Sequence, residues 1–239
     1  MKSVAVAIFC KTPSPGQSKT RLSPPLNPDE CSHLSACFIR DLSMTIAQST
    51  ADGLGTPFAV YTPAGSEVAL RTLLPETFNL HLQGDGDFGS RLQQASRELL
   101  AAGHAGVILV NSDSPTLPVE ILREAIAAVR SQDAVVIGPA IDGGYTLIGL
   151  SRLHPRLFAD SPWSTDGVYR ATRLRADEIG LPVVEVGRWY DVDDDLTLRL
   201  LEAELAGTPP PFATEGLTGA AAPSTRAFLQ QRAVTRAAS

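Results

Sequence analysis

The chain has 239 residues, room for one large domain with an appendage but short for two domains of ~150 residues each. Hydrophobic residues make up 44%, too many for a disordered chain, while charged residues are only 19% against ~25% in an average domain. With 20 Lys+Arg against 26 Asp+Glu the formal charge is −6, so the broad positive field that draws polynucleotides or anionic membranes is missing and nucleic acid is excluded as the main partner.

The first element is the apolar run Val4–Cys10. It is short and runs straight into Lys11 with no small-residue cleavage site, so it reads as a buried strand and not a signal peptide. No run approaches the ~18 apolar residues of a membrane span. A helix is expected over Asp29–Ser49, opened by the capping residue Asn27 and by Pro28 in the first turn. Strands are expected at Phe58–Tyr61, Phe78–Leu82, Val107–Val110, Ala134–Ile137, Tyr145–Gly149 and Val183–Val186, mostly β-branched and apolar throughout, as strands covered on both faces are. Helical stripes separate them: Gly89–Ala102 aligns Leu92, Ala95 and Leu99, and Val119–Arg130 aligns Leu122, Ile126 and Val129. Asp166–Ile179 and Asp194–Leu205 complete the set.

This alternation means βαβ units, an α/β fold with a mostly parallel sheet and helices on both faces. Between the runs at 134–137 and 145–149 stands Asp142-Gly143-Gly144, with no space for a helix, so one strand is expected to run backwards. From Gly207 the composition turns Pro-, Gly- and Ala-rich, which divides the chain into a domain over 1–207 and a tail over 208–239 with one short helix near Thr225–Arg236. The three cysteines, Cys10, Cys31 and Cys37, are odd in number and lack ligand spacing, which fits a reducing cytoplasm.

Five segments offer chemistry. The stretch Lys11-Thr12-Pro13-Ser14-Pro15-Gly16-Gln17-Ser18-Lys19-Thr20-Arg21 follows the first strand, where parallel sheets hold their ligands. The chain has three lysines and seventeen arginines, yet two of the lysines sit in this one loop. Its cations, Gly16 and free amides suit a phosphate or diphosphate, although it is not a Walker A loop; the bland alternative is a solvated, proline-stiffened turn. Asp113 closes the strand at Val107–Val110 and is either a Mg²⁺ ligand or a turn and capping residue. Asp191 and Asp193 follow the last strand, where alternation puts both on one side, as a metal pair or as acids at a helix entrance. Asp142-Gly143-Gly144-Tyr145 is a hairpin turn or a place where a ligand approaches the backbone. Pro162-Trp163-Ser164-Thr165 offers Trp163 for stacking or simply for burial.

Gly84-Asp85-Gly86-Asp87-Phe88-Gly89 matches a dinucleotide fingerprint, but its two aspartates repel a pyrophosphate and it lies mid-chain, so a nicotinamide or flavin site is rejected. The four histidines show no ligand spacing, and there is no nucleophile-elbow Gly-x-Ser-x-Gly.

Taken together, Lys11-Thr12-Pro13-x-Pro15-Gly16-x-x-Lys19-Thr20-Arg21-Leu22, Gly86-Asp87-Phe88-Gly89-x-Arg91-Leu92, Ser112-Asp113-x-Pro115, Gly138-Pro139-Ala140-x-Asp142-Gly143-Gly144-Tyr145 and Trp189-Tyr190-Asp191-Val192-Asp193 resemble, in order, the motifs of the bacterial DUF2064 family of glycosyltransferase-like proteins. The resemblance covers roughly residues 1–205. It implies a GT-A-like nucleotide-diphospho-sugar transferase fold, shared with molybdenum-cofactor and 2-phospholactate nucleotidyltransferases. It further implies nucleotide and phosphate contacts at Lys11, Gly16, Lys19, Arg21 and Arg91, and a catalytic Mg²⁺ or Mn²⁺ site at Asp113, Asp191 and Asp193. Substrate contacts fall to Asp142, Gly143, Gly144, Tyr145 and Trp163. Thr146 departs from the family, which often has a second aromatic there, and this bears on the acceptor pocket. The function so implied is a metal-dependent transferase that takes a nucleotide or nucleotide-sugar donor and a small-molecule acceptor. A nucleotidyltransferase releasing pyrophosphate and a non-catalytic nucleotide-binding protein are the alternatives.

Overall fold

A computed structural model of the chain describes residues 2–159, 163, 165–214 and 216–237. The elements run β1 (Val4–Lys11), α1 (Pro28–Ser49), β2 (Gly55–Thr62), α2 (Glu67–Arg71), β3 (Asn79–Leu82), α3 (Phe88–Ala101), β4 (Gly106–Asn111), α4 (Val119–Ser131), β5 (Val135–Pro139), β6 (Tyr145–Leu150), α5 (Val168–Glu178), β7 (Val183–Glu185), α6 (Asp195–Leu205) and α7 (Pro223–Ala237). The strands form one seven-stranded sheet in the order β3-β2-β1-β4-β6-β5-β7. Every pairing is parallel except those of β6, which runs against both β4 and β5. The expected mixed sheet with one reversed strand is therefore what forms. The carboxyl ends of β1, β4 and β5 and the amino end of β6 share one edge.

Strand β1 shows why these runs are apolar throughout. Val4, Val6, Ile8 and Cys10 join the core under α1, α4, α6 and α7. Ala5, Ala7 and Phe9 join the core under α3 and α5. A strand covered on both faces alternates between two interiors, not between interior and water. Fully burying one such Ile or Leu contributes ~1.5–3 kcal/mol, so each central strand is a large driving term.

Helix boundaries follow local chemistry. Asn27 caps α1 by accepting from the Glu30 amide (2.9 Å), Glu30 returns a bond to the Asn27 amide (2.8 Å), and Pro28 occupies the first turn. Asp87 caps α3 and Asp194 caps α6, each accepting from the amide three residues on. The glycine pattern at Gly84–Gly89 is thus the entrance to a capped helix. The five-residue α2 has no counterpart among the expected elements, being too short to show a stripe. Beyond Gly207 the chain returns as α7 to lie along α1, where the buried Asp41 accepts from the Ser224 and Thr225 amides (3.0 and 2.7 Å). No helix among the described residues is long and apolar enough to cross a membrane.

Candidate functional site

A cavity of about 560 Å³ opens at the ligand edge of the sheet, between the ends of β1 and β4, the β5–β6 turn, and the entrances of α3 and α5. The basic loop, Asp113, Asp142, Asp191 and Asp193 all meet there, brought together from four separate stretches of chain.

The loop after β1 is pinned to its neighbours. The Thr12 amide donates to the Thr62 carbonyl (2.8 Å), and its hydroxyl pairs with that of Ser66 (2.7 Å). Gly16 turns the chain with φ +71°, and Lys19 takes φ +50°, a left-handed backbone that is uncommon outside glycine. That bend sends the Lys19 side chain inward, where only 5% of it is exposed. Its ammonium meets Asp113 Oδ1 at 2.7 Å and Asp193 Oδ1 at 3.0 Å, and donates to the Val192 carbonyl at 2.7 Å. Burial alone pushes an ammonium down, but the carboxylates of Asp113 and Asp193 outweigh it and hold Lys19 above its ordinary range. All three protons of the ammonium are thereby engaged. Lys19, expected at a phosphate, forms an internal counter-ion that joins the two carboxylate-bearing segments.

Arg21 and Lys11 have the other disposition. Arg21 reaches Asp193 Oδ2 with Nη2 at 2.6 Å while 70% of its side chain stays exposed. Lys11 donates to Gln17 Oε1 at 2.7 Å from an exposed position. Both line the cavity and present cationic charge to it.

The carboxylates divide accordingly. Asp193 is taken up by Lys19 and Arg21. Asp113 sits in a turn organised by Asn111, whose Oδ1 accepts from the Asp113 amide (3.2 Å) and the Ser114 hydroxyl (2.9 Å). Asp113 caps no helix, since α4 begins at Val119 behind Pro118. The Asp113 carbonyl accepts from the Val192 amide at 2.9 Å, which ties the two acidic segments backbone to backbone. Asp191 has no cationic partner among the described residues. Burial first, then the charges of Asp142, Asp193 and Asp113, push its carboxyl up to about 7. Alternation along the chain suggested one role for Asp191 and Asp193; the structure separates them into a carboxylate already neutralised and one left in a field of like charge.

The turn between β5 and β6 carries Asp142, whose Oδ1 accepts from the Gly144 amide at 2.9 Å. Gly143 has φ +91°, and a Cβ there would lie 2.2 Å from the Asp166 carbonyl oxygen, so glycine is required on both counts. The opposite wall is aromatic. Phe88 stands edge-on to Phe9 (5.5 Å) and to Trp163 (5.4 Å), and Trp163 is 6.4 Å from Tyr145. Trp163 lies so close to α3 that a Cβ on Gly89 would fall 2.3 Å from its indole nitrogen. Of the Pro162–Thr165 motif, Pro162 and Ser164 lie outside the described residues. Arg91 lies over the Phe88 ring at 5.7 Å and donates from Nη1 to Gln83 Oε1 at 2.6 Å, while its Nε is buried without a partner among the described residues. Cys10 lies on the cavity floor as an inert thiol, pushed up to about 12 by burial and by Asp113.

Two residues outside the predicted site set organise this site. Gln83 is buried and donates to the Cys10 and Val60 carbonyls (3.0 and 3.1 Å) while holding Arg91. Asn111 shapes the Asp113 turn. A polar side chain just beyond an apolar strand was the signal available for each.

No group of three or more His, Cys, Asp or Glu among the described residues is arranged to hold a metal on its own.

Comparison with known proteins places the chain. The family model described as "uncharacterized protein conserved in bacteria (DUF2064)" matches residues 45–165. No curated protein matches the sequence. Among solved structures, a candidate nucleotide-diphospho-sugar transferase of Desulfovibrio desulfuricans G20 is 27% identical, with 98% of this chain and 96% of that one covered and a TM-score of 0.78. A CMP:2-keto-3-deoxy-manno-octonic acid synthetase complexed with CTP is 13% identical over 86% of this chain and 99% of that one, with a TM-score of 0.57. The 4-diphosphocytidyl-2C-methyl-D-erythritol synthase of Anaerococcus prevotii DSM 20548 is 10% identical over 85% and 96%, with a TM-score of 0.56. The first likeness gives the fold, that of nucleotide-diphospho-sugar transferases, and the last two show a shared fold alone.

Proposed function

The chain belongs to the DUF2064 family, and we propose that it is a metal-dependent transferase acting on a nucleotide-activated donor, with sugar transfer from a nucleotide-diphospho-sugar as its reaction. The observation that carries this reading is the meeting, at one sheet edge, of a basic loop with a carboxylate cluster whose half-buried member, Asp191, has no cation to balance it among the described residues. Of four carboxylates, Asp113, Asp142, Asp191 and Asp193, only Asp113 and Asp193 pair with the cations Lys19 and Arg21 among the described residues. Oxygen-only donors with an excess of negative charge suit Mg²⁺ or Mn²⁺ and not zinc. Asp113 and Asp191 are the residues that would hold the ion, with phosphate oxygens completing its shell. When bound, it would neutralise the charge that develops on a departing diphosphate.

The chain's own groups do the rest. Lys11 and Arg21 take the phosphates, Arg21 turning from Asp193 toward the ligand. Lys19 keeps Asp113 and Asp193 in place and lends its charge at one remove. Asp142, which lines the cavity, would accept the proton of an acceptor hydroxyl. Tyr145, Trp163 and Phe88 shape the wall against which donor or acceptor packs, and burial keeps the Tyr145 hydroxyl protonated by pushing it above its ordinary range.

The test is a thermal-shift panel of nucleoside triphosphates and nucleotide sugars, each with Mg²⁺, Mn²⁺ or EDTA, since anything that binds only the folded chain raises its melting temperature. A nucleotide sugar that stabilises only with metal is the expected result, followed by release of a nucleoside diphosphate on incubation. Release of pyrophosphate from a triphosphate would assign nucleotidyl transfer in its place. A panel with no metal-dependent shift would refute the transferase reading.

A further inference from the structure

The chain after Gly207 lies beyond the matched family region, yet it touches both acidic segments of the site. The Phe212 ring packs 5.8 Å from Trp189 and 5.7 Å from Tyr190, the two residues that immediately precede Asp191. The Ala220 amide donates to the Thr116 carbonyl at 2.9 Å, and Trp189 Nε1 donates to the Thr116 hydroxyl at 3.1 Å. Thr116, fully buried, stands three residues after Asp113. The far end of the same segment is fastened elsewhere. Asp41 holds the first amides of α7, and Arg232 donates to the Pro25 carbonyl (2.7 Å) and pairs with Glu30 (3.2 Å), where the basic loop enters α1.

These attachments oppose a force that the site itself creates. Asp113, Asp142, Asp191 and Asp193 are like charges that Lys19 and Arg21 neutralise only in part, and their segments are tied directly by the Lys19 ammonium, the Val192–Asp113 backbone bond, the Thr116 contacts with Trp189 and Tyr190 and the Trp189–Pro139 backbone bond. Without an outside constraint, the 189–193 segment can relax outward and lower that repulsion. We propose that residues 208–214 and 216–237 form a brace that holds the Asp113 segment, the Asp191–Asp193 segment and the basic loop in register, with Phe212 as its positioning residue. Phe212 touches no cavity-lining carboxylate; it acts through Trp189 and Tyr190. The proposal rests on the reading of Asp113 and Asp191 as a metal site.

The experiment compares the full chain with Phe212→Ala, Phe212→Leu, Arg232→Met and, as control, Val234→Ala on the exposed face of α7. Hydrogen exchange is followed for peptides spanning 111–117 and 189–193, and the binding of Mn²⁺ alone is measured by electron paramagnetic resonance. Phe212→Ala should speed exchange in both peptides by about tenfold or more while α3 and α5 keep their protection, and should weaken Mn²⁺ binding by about tenfold. Phe212→Leu should restore most of both, and Val234→Ala should change neither. If Phe212→Ala does not fold, Arg232→Met, which frees the far end alone, should give the same two changes at smaller size. Unchanged exchange in the two peptides, or faster exchange with unaltered Mn²⁺ affinity, overturns the brace. If the wild type binds no Mn²⁺ but the exchange pattern is as described, the brace stands and the metal reading of the carboxylates falls.

Discussion

Replacing Asp191 with Asn should stabilise the protein, and by an amount that depends on pH. In the folded chain the Asp191 carboxyl is pushed up to about 7, against an ordinary 3.8, chiefly by burial and then by Asp142, Asp193 and Asp113. A carboxyl raised on folding adds no penalty below its unfolded value; it costs progressively more as pH climbs through the interval and reaches its full cost above the folded value. The gap of about three pH units, at ~1.36 kcal/mol each, sets a ceiling of about 4 kcal/mol at pH 8. Relaxation and water entry reduce this, so a gain of about 2–3 kcal/mol for Asp191→Asn is expected at pH 8, and less than about 1 kcal/mol near pH 4. Urea unfolding of both proteins with EDTA present, at pH 4, 6 and 8, measures the difference directly, with equal slopes required for the comparison. Adding Mg²⁺ at pH 8 should raise the wild type toward the variant and leave the variant unchanged. A stability gap that is the same at pH 4 and pH 8, or a variant weaker than the wild type at pH 8, refutes the like-charge account of Asp191.

The two loop cations should separate cleanly. Lys19→Met strands Asp113 and Asp193 beside an apolar side chain and should cost about 3–5 kcal/mol in urea unfolding, the usual loss on breaking a buried pair from one side. Arg21→Ala, at an exposed pair, should alter stability by less than about 1 kcal/mol but weaken nucleotide binding by about 1.5–3 kcal/mol in calorimetry. Equal stability losses for both would show that Lys19 is not the internal counter-ion. Gly→Ala in a helix ordinarily stabilises by ~1 kcal/mol, but Gly89→Ala should destabilise, because the added methyl meets the Trp163 indole. Trp fluorescence should shift to the red, and in a Trp163→Ala background the same change should become neutral or favourable; an additive double mutant counts against the contact.

Much of this fold is legible in single stretches of chain. β1, β4 and β5 declare themselves because a strand buried on both faces has no polar side to obscure its run. Asp142-Gly143-Gly144 announces the reversed strand, because those residues leave no length for a helical crossover. The ends of α1, α3 and α6 follow from Asn27, Asp87 and Asp194 acting within three residues of themselves. The site was legible as a set of segments, but not as a set of partners. That Lys19 turns inward depends on Asp193, 174 positions away, and no local pattern distinguishes an ammonium aimed at a carboxylate from one aimed at a phosphate. Gly89 belongs to a rejected glycine motif, and the reason for it, the Trp163 indole, lies on a distant loop. Gln83 and Asn111 are neutral amides whose importance comes from the carbonyls and amides that folding places around them.

The reversal of β6 affects how readily this architecture can change its substrate. Connections between parallel strands must travel back along the whole sheet, so they are committed to a helix and to its packing. The link from β5 to β6 leaves and re-enters at the same edge, five residues between Pro139 and Tyr145, and supports no helix of its own. Residues there can be exchanged without repositioning α3 or α4, whereas the entrance of α5 is tied to the turn by the Tyr169 amide, which donates to the Gly143 carbonyl at 3.1 Å. Gly143, fitted against the Asp166 backbone, marks the point where such freedom ends. Within those limits Ile141, exposed and the one position of the turn outside the family motif, is the place to begin in altering this turn while keeping one sheet and one basic loop.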